Sequence, residues 1–441
     1  MNQFRRFSLT TAIAVVVANM VGTGVFTSLG YQLVDIQSEF VLLLLWFVGG
    51  IAALCGALTY AELSASLPRS GGEYNFLSRI YHPAMGFVSG WVSITVGFAA
   101  PTALAAMTFA AYLSAALAGT IEINREFAAI ALVVVLTVVH ASSRRASSGF
   151  QQWLTFLKII LILLFCAVVS WFAEFPQSLE LLPVSSDIPI ITGGAFAISL
   201  IYVNYAYTGW NAATYIASEI ENPQKNVPLV MIVGTVMVMA LYLLLNAVFL
   251  YAAPMHAMEG KIEIGVIVAE TTFGPRGALV MGFVLSLLLI STVSAMIMAG
   301  PRVLQVIGED FRVFSWLGRL NSKGIPALAI YFQSVLSILF ISTATFESIL
   351  VFSGFILGIN SLFAVVGVFV LRYRKIAVDH TGYKTIGYPV TPLIYIAITT
   401  WTVTFISINR IMEVAVGVAV IVIGLVVYFV SNRWQANDSA R

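Results

Sequence analysis

The side chains of this sequence offer little chemistry of their own. Its four histidines, His82, His140, His256 and His380, fall at the ends of long apolar runs or between them, which suits interfacial positions. No two have the spacing of metal ligands. No Asp or Glu stands in the central part of any long apolar run; Glu62, Glu309 and Glu347 lie near the ends of theirs. Without a carboxylate pair, a His cluster or a Ser–His arrangement, catalysis inside those runs has no carrier, and neither a metal nor a cofactor is implied. What remains is backbone, at two places where glycine interrupts an apolar run. One reads Asn19-Met20-Val21-Gly22-Thr23-Gly24-Val25-Phe26, the other Tyr205-Ala206-Tyr207-Thr208-Gly209-Trp210-Asn211.

The runs that carry these glycines are long enough to cross a bilayer, which takes about 20 residues. The chain has 441 residues, 60% of them hydrophobic and only 10% charged. A soluble domain carries about 25% charged residues, so an ordinary solvated surface is excluded. A formal net charge of +2 gives no basic face for nucleic acid. Cys55 and Cys166 both lie inside apolar runs and make no disulfide framework. Arg5-Arg6 before an apolar run resembles a secretory signal, but that run continues past Val21 and many spans follow.

Twelve spans are expected, near 8–35, 40–66, 84–118, 127–141, 149–173, 188–217, 228–252, 276–308, 325–343, 346–371, 388–408 and 412–431. Of the 22 Lys and Arg residues, only Arg125, Lys261, Arg276 and Arg410 then fall on the side opposite the N-terminus, and Lys158 falls inside a span. The positive-inside rule places both termini in the cytoplasm. Aligning Gly24 with Gly209 lays span 2 on span 7 and span 3 on span 8. Spans 4 and 5 meet 9 and 10 once an insertion at 309–324 is allowed. The expected organisation is therefore a single transmembrane unit. A five-span repeat over about 8–174 recurs with opposite orientation over about 188–371, and two extra helices occupy about 388–431.

Two readings are open for the mid-span glycines. Small residues let helices pack closely; equally, glycine permits unwound backbone, which a bilayer tolerates only where it faces protein or water. Matching interruptions in two repeats point to a ligand site. A break in span 1, which runs outward, gives its second half free N–H groups and a positive dipole end at mid-membrane, suited to a carboxylate. A break in span 6, which runs inward, leaves free carbonyls suited to an ammonium. The pair fits a zwitterion, and an α-amino acid carries both charges one carbon apart.

Lys158 lies about ten residues into span 5. A lysine at the bilayer centre costs about 2.5–3.5 kcal/mol, so it either faces a cavity or partner or snorkels to the cytoplasmic surface.

The sequence resembles the amino acid–polyamine–organocation superfamily, close to bacterial amino acid permeases and L-type amino acid transporters. The resemblance rests on Val21–Phe26 and on Leu67-Pro68-Arg69-Ser70-Gly71-Gly72-Glu73-Tyr74. It rests also on Tyr205 through Gly209-Trp210 to Glu219-Ile220-Glu221-Asn222-Pro223, and on Met296-Ile297-Met298-Ala299-Gly300-Pro301-Arg302-Val303, in family order. It implies an all-α leucine-transporter-type fold with helices 1 and 6 broken. The substrate carboxylate would meet N–H groups of Gly22, Thr23 and Gly24, and the amine carbonyls of Met20, Tyr205, Ala206 and Thr208. Gly209 would be the hinge and Trp210 the border of the side-chain pocket. Gly71, Gly72, Glu73 and Tyr74 would form a cytoplasmic gating segment. Lys158 would stand where sodium-coupled relatives hold sodium, near Ser291, Thr292 or Ser294, either as a fixed charge or as a proton carrier.

The expected activity is secondary transport of small neutral amino acids across a bacterial inner membrane, by exchange or proton symport and without sodium. Missing intramembrane acids argue against cationic amino acids or polyamines, and the short tail after span 12 argues against a nutrient sensor. The segment Gly119–Glu126 lacks the cysteine by which eukaryotic L-type transporters hold an ancillary subunit, so a monomer or homodimer is expected.

Overall fold

The computed structural model describes residues 7–69, 71–118, 121–142, 148–174, 176–376 and 382–439. Arg5, Arg6, Ser70, Gly119 and His380, named above, lie outside them, as do Arg144, Arg145 and Arg441 of the Lys and Arg count. Regular structure among the described residues is helical, apart from one isolated bridge between Phe7 and Ile220.

Local sequence sets where the helices start and stop. Helix α1 (Leu9–Met20) begins where the Ser8 hydroxyl accepts the Thr11 N–H, and α2 (Gly24–Gln32) follows after a short gap. Ser38 caps α3 (Glu39–Ser66) in the same way. The short α4 (Glu73–Ile80) precedes α5 (Pro83–Val92), which has proline in its first turn. A π-helical turn at Ser93–Gly97 joins α5 to α6 (Ala99–Ala116), so span 3 is less regular than expected. Then come α7 (Arg125–Ser142) and α8 (Ser148–Phe172). Span 6 is divided into α9 (Asp187–Thr192), α10 (Gly194–Ala206) and α11 (Ala212–Tyr215).

The second half continues with α12 (Pro223–Ala252), α13 (Met255–Met258) and α14 (Ile264–Asp310). Span 8 was expected to start near 276. Two helical segments meet there: one runs from Ile264 to Gly274, whose φ of 70° is not helical, and the next opens at Pro275. Proline at that start agrees with the expected boundary, and the helical segment before it was not expected. Helices α15 (Ala327–Thr343), α16 (Phe346–Tyr373), α17 (Val390–Asn409) and α18 (Ile411–Ser439) complete the chain.

Nine helical stretches among the described residues are long and apolar enough to cross a membrane, and Phe156–Phe172, Gly194–Ala206 and Ala327–Thr343 are shorter apolar helices. Val134, Val138, Val422 and Val426 are exposed apolar side chains, a surface that belongs against lipid. The protein is a multi-pass membrane protein. Trp46, Tyr60, Tyr112, Tyr207 and Tyr242 are fully buried in its interior.

Helix contacts come in matched pairs. α1 packs on α12 as α10 packs on α3; α1 on α8 as α10 on α16; α8 on α12 as α16 on α3; α8 on α14 as α16 on α6. Each broken span crosses the other, α1 meeting α11 and α2 meeting α10.

Candidate functional site

Both glycine-bearing spans are interrupted, and the interruptions touch. α1 ends at Met20, and the Gly22 N–H turns back onto the Met20 carbonyl at 2.7 Å. α2 starts at Gly24, and the N–H groups of Thr23, Gly24 and Val25 meet no acceptor among the described residues. On the facing span, the Tyr205 carbonyl accepts from the Thr208 N–H at 3.0 Å and from its hydroxyl at 2.6 Å. Gly209 then turns the chain at φ 103°. A Cβ on Gly24 would sit 2.5 Å from the Ala206 Cα, and one on Gly209 would sit 2.8 Å from the Asn19 carbonyl. Both readings of the glycines therefore hold at once: they unwind the spans and let them meet.

Gly22 is a correction to the expected donor set. Its N–H is spent within its own turn, while Val25, one residue further along than anticipated, has a free N–H. The carbonyls expected to meet an amine are also shared. The Tyr242 hydroxyl, on α12, lies 2.5 Å from the Met20 carbonyl and 3.0 Å from the Ala206 carbonyl, joining the two breaks. Tyr242 escaped the sequence reading. The available signal was a phenol in the middle of an apolar span, where its hydroxyl needs a partner. Trp210 is buried, its ring 4.7 Å from that of Tyr60, with Tyr395 beyond.

Lys158 is buried and does not snorkel. Its ammonium donates to the Val21 carbonyl at 3.1 Å and to the Thr292 hydroxyl at 2.9 Å, tying α8 to the break in span 1 and to α14. A cavity of about 10 Å³, bordered by Gly22, Phe26, Tyr112 and Leu289, adjoins the lysine. Ser291, the residue before Thr292, is also buried. Ser294 points elsewhere, because two residues along a helix turn a side chain by about 200°. It is hydrogen-bonded to His140 at 2.8 Å. His140, near the end of α7 as expected, is buried against α14.

Glu73 is 3% exposed. It accepts hydrogen bonds from the Tyr60 hydroxyl at 3.1 Å, the Tyr215 hydroxyl at 2.7 Å and the Asn211 amide, clamping α4 onto α3 and α11. Gly71 and Gly72 supply the positive φ that brings this segment in, and a Cβ on Gly72 would meet the Tyr215 ring at 2.5 Å. Beside it the Tyr74 hydroxyl donates to Asp310 at 2.6 Å, and Arg69 pairs with the same carboxylate at 2.6 Å. Burial, with Asp310 alongside, raises the Tyr74 phenol above its usual range.

A family of amino acid permeases matches residues 7–438. The chain belongs to that family. This permease is 26% identical to the mouse "Large neutral amino acids transporter small subunit 2" over 98% of its own length and 82% of that protein's. It is 25% identical to the human form, over 98% and 81%. It is also 26% identical to the mouse "b(0,+)-type amino acid transporter 1", over 84% of its own length and 77% of that protein's. Membership makes this permease a membrane transport protein and not an enzyme.

Proposed function

We propose that this permease carries neutral amino acids across a membrane by alternating access, holding the zwitterion between its two broken spans. The observation that carries the reading is the contact between them. Free N–H groups of Thr23, Gly24 and Val25 at the start of α2 lie against the carbonyl end of α10. Opposite partial charges at that separation suit a carboxylate and an ammonium on one carbon. Gly22 shapes the turn and Met20, Tyr205, Ala206 and Thr208 present carbonyls, with Gly209 as hinge and Trp210 as pocket wall. The matched helix contacts support two five-helix repeats within a twelve-span chain, and the Lys and Arg distribution supports cytoplasmic termini.

Substrate charge follows from what the site can neutralise. Glu73 is the acid nearest α11, and Tyr60, Asn211 and Tyr215 already occupy its oxygens. A cationic side chain has no counter-charge there. Lys158 holds the Val21 carbonyl where a sodium ion would otherwise sit, so transport runs without sodium, by exchange or with protons. Cys55 and Cys166 are buried, which supports a protein without a disulfide-linked subunit.

Uptake of labelled neutral amino acids into proteoliposomes tests this, with and without internal substrate and a pH gradient. Saturable uptake unaffected by sodium is expected. A sodium requirement, or uptake of arginine in preference to leucine, would sink the proposal.

A further inference from the structure

A groove opens on the membrane-facing side between α8, α12 and α14. It encloses about 230 Å³ and is lined by apolar side chains, among them Phe165, Val168, Phe249, Phe273 and Leu288. Its inner wall includes Phe26, two residues past Gly24 in α2. Leu164 and Phe273, both lining it, are exposed. The medium around a spanning helix is hydrocarbon, so the groove opens onto acyl chains.

Charge at one end names the rest of the occupant. Arg125 is paired with Glu263 and Arg410 with Glu347. Arg276 follows Phe273 by three residues, just past the Gly274 bend, and is exposed with no ion-pair partner among the described residues. An unpaired guanidinium at the edge of a bilayer attracts phosphate and grips it through two parallel N–H bonds.

We propose that the groove and Arg276 together hold one phospholipid, an acyl chain lying against Phe165, Val168 and Phe26 and the phosphate resting on Arg276. The site is separate from that of the amino acid, yet its tail packs on the half-helix that begins at the break.

The test uses the whole protein in nanodiscs with phosphatidylglycerol carrying a photoreactive diazirine at the tail end. Label is expected to concentrate on peptides covering residues 161–169 and 281–288, above the level on the exposed face of α18. Val168→Trp fills the groove and is expected to cut that label about tenfold, a change of about 1.4 kcal/mol. Leu164→Trp at the mouth repeats the test on an exposed residue that folding tolerates. Arg276→Gln should reduce labelling by the phosphatidylglycerol probe and leave labelling by a diacylglycerol with the same tail unchanged. Even labelling of groove and α18, insensitivity to both tryptophans, or no difference between the two probes overturns the proposal.

Discussion

Gly24 and Gly209 are required for two reasons, space and backbone. A Cβ on Gly24 falls 2.5 Å from the Ala206 Cα, closer than atoms can sit, so Gly24→Leu must push α2 off α10. Gly209 adds a φ of 103°, where other residues cost about 1–3 kcal/mol. Both Gly24→Leu and Gly209→Val are expected to insert into the membrane and to lose substrate binding, read by scintillation proximity on purified protein. Tyr242 acts differently. Tyr242→Phe strips the donor shared by the Met20 and Ala206 carbonyls, and a buried unpaired acceptor costs about 1–3 kcal/mol. A lower melting temperature and a raised KM for uptake are expected together; a raised KM with unchanged melting temperature would mean that Tyr242 serves the substrate alone. Lys158→Met keeps the length and removes both hydrogen bonds that hold Val21 and Thr292. Exchange is expected to fall at least tenfold, and sodium should not restore it.

At the scale of elements, α4 and the segment leading into it are fastened by contacts of unequal worth. Glu73 is buried, and its loss strands three donors on α3 and α11, each costing about 1–3 kcal/mol. The Arg69–Asp310 pair is half in solvent, with side-chain exposures of 49% and 27%, and such pairs contribute about 0–1 kcal/mol. Glu73→Ala is therefore expected to lower the melting temperature by several degrees and to impair transport, while Arg69→Gln changes melting little. Equal effects of the two would place the fastening in the surface pair. α14 carries a second lesson. Pro275 marks a boundary in sequence and the helical run is broken there at Gly274, but the helical segment before it carries no such local mark.

At the scale of the whole molecule, the paired contacts make the two halves exchangeable in their packing, with broken spans crossing at the centre. A site made of two half-helices opens to one side or the other when one half tilts against its neighbours, without any side chain changing its chemistry. Reporter fusions are expected to place both termini in the cytoplasm. A signal from the opposite side of the membrane at either end would invert the dipole argument, since the free N–H groups would then head a helix running inward.

The sequence alone determined the membrane class and where long apolar runs lie, because length and lack of charge are local properties of a run. It also pointed to both breaks, through Gly22 and Gly24 in span 1 and Gly209 at the matching place in span 6. The tertiary structure decided which groups are free. Whether the Gly22 N–H is available depends on a turn onto Met20, and whether the Met20 carbonyl is available depends on Tyr242 more than two hundred residues away. Which of Thr292 and Ser294 meets Lys158 depends on how α14 is rotated against α8. Hydrogen bonds between distant segments form only once packing has fixed their distances, and no local pattern encodes that.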